Sequence, residues 1–256
     1  MMKKKPLILL TNDDGINAPG ILALHKELKK IASVVVVAPD SQRSSVGHGI
    51  TLSRPIWVKK NSVDFELKGY GISGTPADCV KFALEVVLKK KPDLIISGIN
   101  LGPNEGCSVF YSGTVAAARE GALCGIPSVA VSLNTFVNPD FRYSSKVGLK
   151  IIKEILKNGL PKGTFLNINV PDLPQSEIKG IKVTRQGKFP IKAKFTRRKD
   201  PNQSSCYWMS GEIPKKDRAK DIDTVALKKG FVCVTPIQSD STDYKFLSKF
   251  GNWDLS

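Results

Sequence analysis

Leu7-Ile8-Leu9-Leu10-Thr11-Asn12-Asp13-Asp14-Gly15 is the stretch on which the fold turns. Four apolar residues in a row, with no polar alternation, read as a strand covered on both faces, as parallel sheets require. The chain then becomes polar at once, with an amide, two adjacent carboxylates and a glycine. Residues 34–38, 94–96 and 129–131 repeat the apolar pattern, each run short and dominated by aliphatic residues. Helix-period segments lie between them. Ile21, Leu24, Leu28 and Ile31 form one stripe just after Pro19-Gly20, and Val80, Ala83, Leu84, Val87 and Leu88 form a second. Thr75-Pro76-Ala77-Asp78 opens the second, with a hydroxyl N-cap, proline in the first turn and an acid three residues on. Further helices are predicted over residues 114–123 and 140–156. Strand–helix alternation of this kind predicts an α/β fold with a doubly wound, mostly parallel, Rossmann-like sheet.

The regularity weakens twice. Residues 50–71 alternate around Trp57-Val58 and Phe65-Glu66-Leu67, which suits a β-hairpin inserted after the second parallel strand. From about residue 182 to 213 the chain is basic and loop-rich, with Lys188, Lys192, Lys194, Arg197, Arg198 and Lys199. Residues 231–235 are strand-like and 242–250 helix-like. Residues 1–180 therefore read as an α/β catalytic core. Residues 181–256 read as a β-rich hairpin arm and C-terminal tail, continuous with that core.

The 256 residues, 41% of them hydrophobic, are enough to bury one large core. No apolar stretch approaches the roughly 20 residues a bilayer crossing needs. Met1-Met2-Lys3-Lys4-Lys5 before Leu7-Ile8-Leu9-Leu10 imitates a signal peptide, but Asn12, Asp13 and Asp14 cut the apolar run short, so a cytoplasmic protein is expected. Five scattered cysteines without a C-x-x-C pair argue against a disulfide framework and against a zinc knuckle. The formal charge of +16 predicts attraction to anions, without separating a nucleic acid from a small phosphate ester.

In an open parallel sheet, ligands bind beyond the carboxyl ends of the strands. There the chain carries Asn12-Asp13-Asp14-Gly15, then Asp40-Ser41-Gln42-Arg43-Ser44-Ser45 with Gly47-His48-Gly49, then Ser97-Gly98-Ile99-Asn100 continuing to Asn104. Such oxygen donors suit a hard cation, Mg²⁺ or Mn²⁺. Asp13-Asp14-Gly15 alone is ordinary turn chemistry. Its adjacency to a buried strand, with matching polar loops beside it, favours a site, since a divalent cation relieves the repulsion between neighbouring carboxylates. Tyr111-Ser112-Gly113-Thr114 starts an Ala-rich helix, where free N–H groups and hydroxyls attract an anion; Ser112 or Thr114 can also simply cap it. Metal donors and an anion cradle on one edge point to phosphoryl chemistry.

Other designs are excluded by inspection. No cysteine is followed by arginine at the spacing of a thiolate phosphatase loop. His25 and His48 are too few for a His-rich binuclear site, Asp13 and Asp14 are not spaced Asp-x-Asp, and no P-loop occurs. Gly69-Tyr70-Gly71-Ile72-Ser73-Gly74 matches a dinucleotide fingerprint, but the charged Asp64-Phe65-Glu66-Leu67-Lys68 before it does not read as a buried first strand. Asp78 reads as a helix N-terminal dipole partner. His48 is the histidine nearest the proposed site, a satisfied loop residue or an acid/base. His25, within the first helix, reads as structural. The 188–199 arm, with Phe189, Phe195, Tyr207 and Trp208 nearby, reads as a solvated hairpin or a subunit contact, with nucleic-acid binding as the rival.

Five blocks in order resemble the SurE (survival protein E) family: 9–16 around Asn12-Asp13-Asp14-Gly15, 37–48 with Arg43-Ser44-Ser45-Val46-Gly47-His48, 74–80, 97–104 and 111–115. The likeness extends through Asn167-Ile168-Asn169-Val170-Pro171 and Val234-Thr235-Pro236-Ile237. It implies a divalent-metal-dependent 5′-nucleotidase acting on nucleoside 5′-monophosphates, with 3′-monophosphates as a further substrate class. It also implies one cation per subunit (Mg²⁺ or Mn²⁺) on Asp13, Asp14, Ser44 and Asn100, with Asp13 and Asp14 catalytic, and phosphate contacts from Ser112, Gly113, Thr114 and Asn104. A homodimer or homotetramer built through an exchanged C-terminal segment and the projecting hairpin is implied as well. Many members end the block Asp240-Ser241-Thr242-Asp243-Tyr244 with histidine, so that histidine's role does not carry over to Tyr244. The rivals are an exopolyphosphatase acting on short-chain polyphosphate and a nucleic-acid-binding protein using the arm; no membrane partner is expected.

Overall fold

A computed structural model describes residues 5–63, 67–212 and 219–254. The first strand, β1 (Leu7–Thr11), leads to α1 (Pro19–Leu28) and β2 (Ser33–Pro39). Next come β3 (Val58–Val63), β4 (Leu67–Ile72), α2 (Pro76–Phe82), β5 (Leu94–Leu101), α3 (Gly113–Leu123), β6 (Ser128–Asn134), α4 (Phe141–Asn158) and β7 (Thr164–Pro171). The chain closes with β8 (Ile181–Val183), β9 (Lys192–Lys199), β10 (Ser205–Glu212), α5 (Asp223–Lys228), β11 (Val232–Gln238) and α6 (Tyr244–Phe250). Nine strands form one sheet in the order β3-β4-β2-β1-β5-β6-β7-β11-β8, and β9 and β10 pair separately. Pairing is parallel from β4 to β7, while β3 and β11 run antiparallel to their inner neighbours.

The unalternating strands bury both faces. Ile8 and Leu10, with Val36, Leu94 and Ile96, pack against Ile21, Leu24 and Leu28 of α1 and Val147, Ile152 and Ile155 of α4. Leu9, Val37 and Ile95 face the other way, onto Cys79 and Val80 of α2 and Ala117 of α3. Successive side chains thus serve opposite layers, which is why no polar residue interrupts the runs.

Local signals set the helix starts. Thr75 and Asp78 form a reciprocal capping box before α2, Asp140 caps α4 through the Arg142 N–H, and Ser112 caps α3. The second predicted stripe continues past α2 as a π-type turn, Ala83–Val87, which leaves Val86 exposed.

The predicted 50–71 hairpin takes a different place. β3 and β4 do pair antiparallel, but β4 also joins β2 in parallel and so extends the main sheet. Phe65 and Glu66 lie outside the described residues. Gly69 and Gly71 sit within β4, the second strand of that hairpin. Gly69 serves packing: a Cβ there would stand 3.0 Å from the Val36 carbonyl oxygen and 3.1 Å from Ile16 Cδ1. β9 and β10 form the predicted basic arm, and all of β9 is exposed. The five cysteines form no disulfide with one another. No described helix is long and apolar enough to cross a membrane.

Candidate active site

From β1 the chain passes to β2 on one side, then returns to β5 on the other. A crevice therefore opens at the carboxyl ends of β1 and β5. Asp13 and Asp14 follow β1 there, and Asn100 occupies the end of β5. The β5–β6 register shifts between Ser97 and Asn100, an irregularity of the kind that re-aims a side chain at a sheet rim.

The loop after β1 is held by Asn12, whose Nδ2 donates to the Gly15 carbonyl (2.8 Å) while its Oδ1 accepts the Gly15 N–H (3.2 Å). Gly15 adopts φ +105°, a conformation open to glycine but strained for other residues. Asp13, only 4% exposed, accepts the Thr114 hydroxyl through Oδ1, and Asp14 Oδ2 accepts the Leu101 N–H (3.0 Å). Each carboxylate is thus oriented by protein donors, Asp13 by the Thr114 hydroxyl with backbone N–H groups and Asp14 by the Leu101 N–H. Burial pushes the Asp13 carboxyl up to about 6; the Thr114 hydrogen bond opposes this and the Asp14 charge adds to it. Burial raises Asp14 as well, against the pull of the Leu101 N–H.

The start of α3 closes on this pair. A Cβ built on Gly113 would lie 2.8 Å from Asp13 Cβ and 3.0 Å from Asp13 Oδ2, so glycine alone admits the helix end so near the carboxylate. Ser112 Oγ accepts the Val115 N–H (3.1 Å), and its proton stays available to an anion. Thr114 is fully buried with its hydroxyl on Asp13, a link the sequence did not disclose. Asn100 donates through Nδ2 to the Gly102 carbonyl (2.7 Å), committing the donor side of its amide and leaving the oxygen side for a cation.

Ser44 is exposed on the loop after β2, and its Oγ accepts from Gln42 Nε2 (2.9 Å). That loop is tied to the site by the Arg43 N–H, which donates to the Asp13 carbonyl (2.7 Å), and by the Gly47 N–H on the Tyr111 carbonyl (2.9 Å). His48 contacts Glu120 of α3, Nε2 to Oε2 2.8 Å, and Lys81 reaches the same carboxylate at 2.6 Å. The ring therefore ties the loop to α3. Asn104 is buried in an amide network: its N–H donates to Asn169 Oδ1 (2.7 Å), its Nδ2 to Ser132 Oγ (2.8 Å), and its carbonyl accepts from Asn167 Nδ2 (2.6 Å). Asn167 and Asn169, which the sequence offered only as part of a family-like block, support this loop from β7. Tyr244 donates to the Asp240 carboxylate, four residues away, on the exposed tail. Beside Asp14 lies a cavity of about 360 Å³, lined among others by Asn17, Pro19, Asp40, Gln42 and Phe141.

The donor set can be tested for fit to a cation. Among the described residues no three His, Cys, Asp or Glu side chains cluster as metal ligands. An ion here would rely on two carboxylates and neutral oxygens, as Mg²⁺ and Mn²⁺ accept, and the raised Asp13 carboxyl is what an uncompensated pair of buried acids produces. The residues fit the ion.

Fold and site together define a Rossmann-like α/β protein with a strand-end pair of acids abutting the start of a helix. The chain belongs to the SurE family, whose model, "Survival protein SurE", matches residues 8–193. It is 46% identical over 259 residues to "5′-nucleotidase SurE" of Christiangramia forsetii, covering 100% of both chains. It is 47% identical over 242 residues to the protein of the same name from Thermosipho melanesiensis, covering 94% of this chain and 95% of that one. The crystal structure of a SurE protein from Aquifex aeolicus superposes with a TM-score of 0.83 at 45% identity, covering 95% of this chain and 98% of that one.

Proposed function

We propose that the chain is a divalent-metal-dependent 5′-nucleotidase, releasing phosphate from nucleoside 5′-monophosphates and also accepting 3′-monophosphates. One observation carries the reading: the start of α3 stands against Asp13 with no room for a Cβ at Gly113, so an anion cradle and a pair of acids share one crevice. Asp13, Asp14, Asn100 and Ser44 hold one Mg²⁺ or Mn²⁺. When bound, the ion supplies Lewis-acid polarisation of a phosphoryl oxygen and lowers the pKa of a coordinated water. Thr114 fixes the rotamer of Asp13 and the Leu101 N–H that of Asp14, so both carboxylates meet the ion without reorganising. The start of α3 at Ser112, Gly113 and Thr114, through the Gly113 N–H, the positive helix end and the Ser112 hydroxyl, holds the phosphoryl group. The nucleoside occupies the cavity beside Asp14, whose apolar walls suit a base and whose Asp40 and Gln42 suit hydroxyls.

The relatives named above support the nucleotide reading, and neither a polyphosphatase nor a nucleic-acid binder gains support from them. Exposed Phe195, Tyr207, Trp208 and Met209 on the arm, with Phe246, Leu247, Phe250 and Trp253 on the tail, support assembly of a homodimer or homotetramer through these segments in the cytoplasm. Phosphate release from AMP and from short-chain polyphosphate, with Mg²⁺ or Mn²⁺ and with EDTA, tests the function. Preferential, chelator-sensitive hydrolysis of AMP is expected; cleavage of polyphosphate alone would overturn it.

A further inference from the structure

A carboxylate remote in sequence accepts a hydrogen bond from the loop that leads into α3. Asp223, the first residue of α5, is fully buried. Its Oδ2 accepts the Gly106 N–H at 2.9 Å, across 117 residues of chain. Its Oδ1 accepts the Gly187 N–H at 2.9 Å and the Thr224 N–H at 2.8 Å. A residue that served only its own helix start would need just the Thr224 bond. Here two of three donors lie on other elements: the loop after β5 and the chain entering the arm. Neighbouring bonds reinforce the junction, since Gln186 Nε2 donates to the Gly106 carbonyl (3.0 Å) and the Asp223 N–H to the Arg185 carbonyl (3.0 Å). Gly106 has φ +54°, and a Cβ there would stand 3.2 Å from Thr224 Cγ2, so the two segments touch closely.

The path from Gly106 to the cradle is short and stiff. Gly106–Phe110 forms a 3₁₀ turn, closed by the Ser108 N–H on the Glu105 carbonyl (3.0 Å). The Ser112 N–H then donates to the Ser108 carbonyl (3.1 Å), setting the position from which α3 begins. Upstream, Asn104 is pinned by Asn169 and Ser132. With Asn104 fixed at one end, Ser112 follows wherever Gly106 is held.

We propose that Asp223 is a positioning residue for the phosphate cradle, holding Ser112–Thr114 in register through Gly106 and coupling that register to the base of the arm. The proposal rests on the reading of Ser112–Thr114 as the phosphate site. Charge-assisted hydrogen bonds that three N–H groups donate to a buried carboxylate are strong, and losing one forces the freed group to move or stay unsatisfied.

Asp223→Asn keeps the side chain's shape but sets an amide N–H₂ against backbone N–H donors. Calorimetry with inorganic phosphate on the Mn²⁺-loaded full chain, alongside AMP kinetics, reads the outcome. A rise of about tenfold or more in the phosphate Kd and in KM is expected, with kcat changed less and Mn²⁺ affinity unaltered. Thr184→Val, which removes the buried Thr184–Thr235 hydroxyl pair (2.8 Å) between β8 and β11, should leave phosphate Kd and KM unchanged. Ser112→Ala separates the two layers of inference. If it too leaves phosphate binding unchanged, the cradle reading fails; if it weakens binding while Asp223→Asn does not, the clamp is refuted. Should Asp223→Asn fail to fold, Gly106→Ala perturbs the same contact from the loop side: raised Kd and KM support the clamp, and unchanged values overturn it.

Discussion

Gly113→Ala is the sharpest single perturbation of the site, because the new methyl would meet side-chain atoms of Asp13 and Pro76 that lie close to their own main chain. The new methyl would sit 2.8 Å from Asp13 Cβ, 3.0 Å from Asp13 Oδ2 and 3.0 Å from Pro76 Cγ. Ordinary carbon contacts begin near 3.4 Å, so the helix start and Asp13 must separate by about 0.6 Å. Asp13 Cβ is one bond from the main chain and has no flexible end to swing aside. Misplacing reactive groups by about 1 Å costs on the order of 10²-fold, so kcat/KM for AMP should fall about 10- to 100-fold. Stability should change little by comparison. Alanine gains up to about 1 kcal/mol of helix propensity, while overpacking costs roughly 1–3 kcal/mol. The net loss of about 1–2 kcal/mol corresponds to a Tm lower by roughly 2–8 °C in a chain of this size. Steady-state phosphate release and a thermal melt on the same preparation separate the two effects. A kcat/KM within about threefold of the parent protein would refute the claim that cradle and carboxylate are held in mutual contact.

Other outcomes follow from the buried acids. Asp13 has its carboxyl raised from 3.8 to about 6, so its charge destabilises the metal-free fold, and stability falls as pH rises from about 4 through 6. Asp13→Asn should therefore raise the metal-free Tm at pH 8, by an amount reflecting up to about 3 kcal/mol, while nearly abolishing turnover; a lowered Tm with activity retained would contradict both halves. Glu105 is pushed from 4.5 to about 7 by burial and then by the Asp223 charge, and its Oε2 has no hydrogen-bond partner. The folded state binds that proton more tightly than the unfolded chain, so stability is lost between about pH 4.5 and 7. Glu105→Gln should raise Tm at pH 8 and flatten the pH dependence of melting over that window. His48→Ala removes the loop's contact with Glu120 and should raise KM for AMP more than it lowers kcat, a split readable from initial rates.

The sheet was legible because both of its faces are buried. Ile8 and Leu10 serve one helix layer and Leu9 the other, which leaves an unbroken apolar run for sequence reading to find. The same logic hid the parallel pairing of β4 with β2, though the hairpin itself was legible. At that edge Gly69 stands where an apolar side chain would signal a strand, because Val36 and Ile16 fill the space a Cβ would need. In the site, Asp13, Asp14 and Asn100 could be read from the rule that strand ends face the ligand. The rule says nothing about partners across the chain. Thr114 lies 101 residues from the aspartate it contacts, and Asp223 lies 117 residues from the loop it clamps. Such pairs are set by packing of α3 and α5 against the sheet, which carries no local signature. Asn104 shows the limit from the other side: its position could be placed near the site, yet its side chain is engaged by Ser132.

The account depends on a divalent ion held by Asp13 and Asp14. Titrating metal-stripped protein with Mn²⁺ in a calorimeter, while following AMP hydrolysis over the same concentrations, measures this directly. One ion per chain should bind, activity should rise in step with occupancy, and Asp14→Asn should abolish both. Full hydrolysis by stripped protein that takes up no manganese would contradict it.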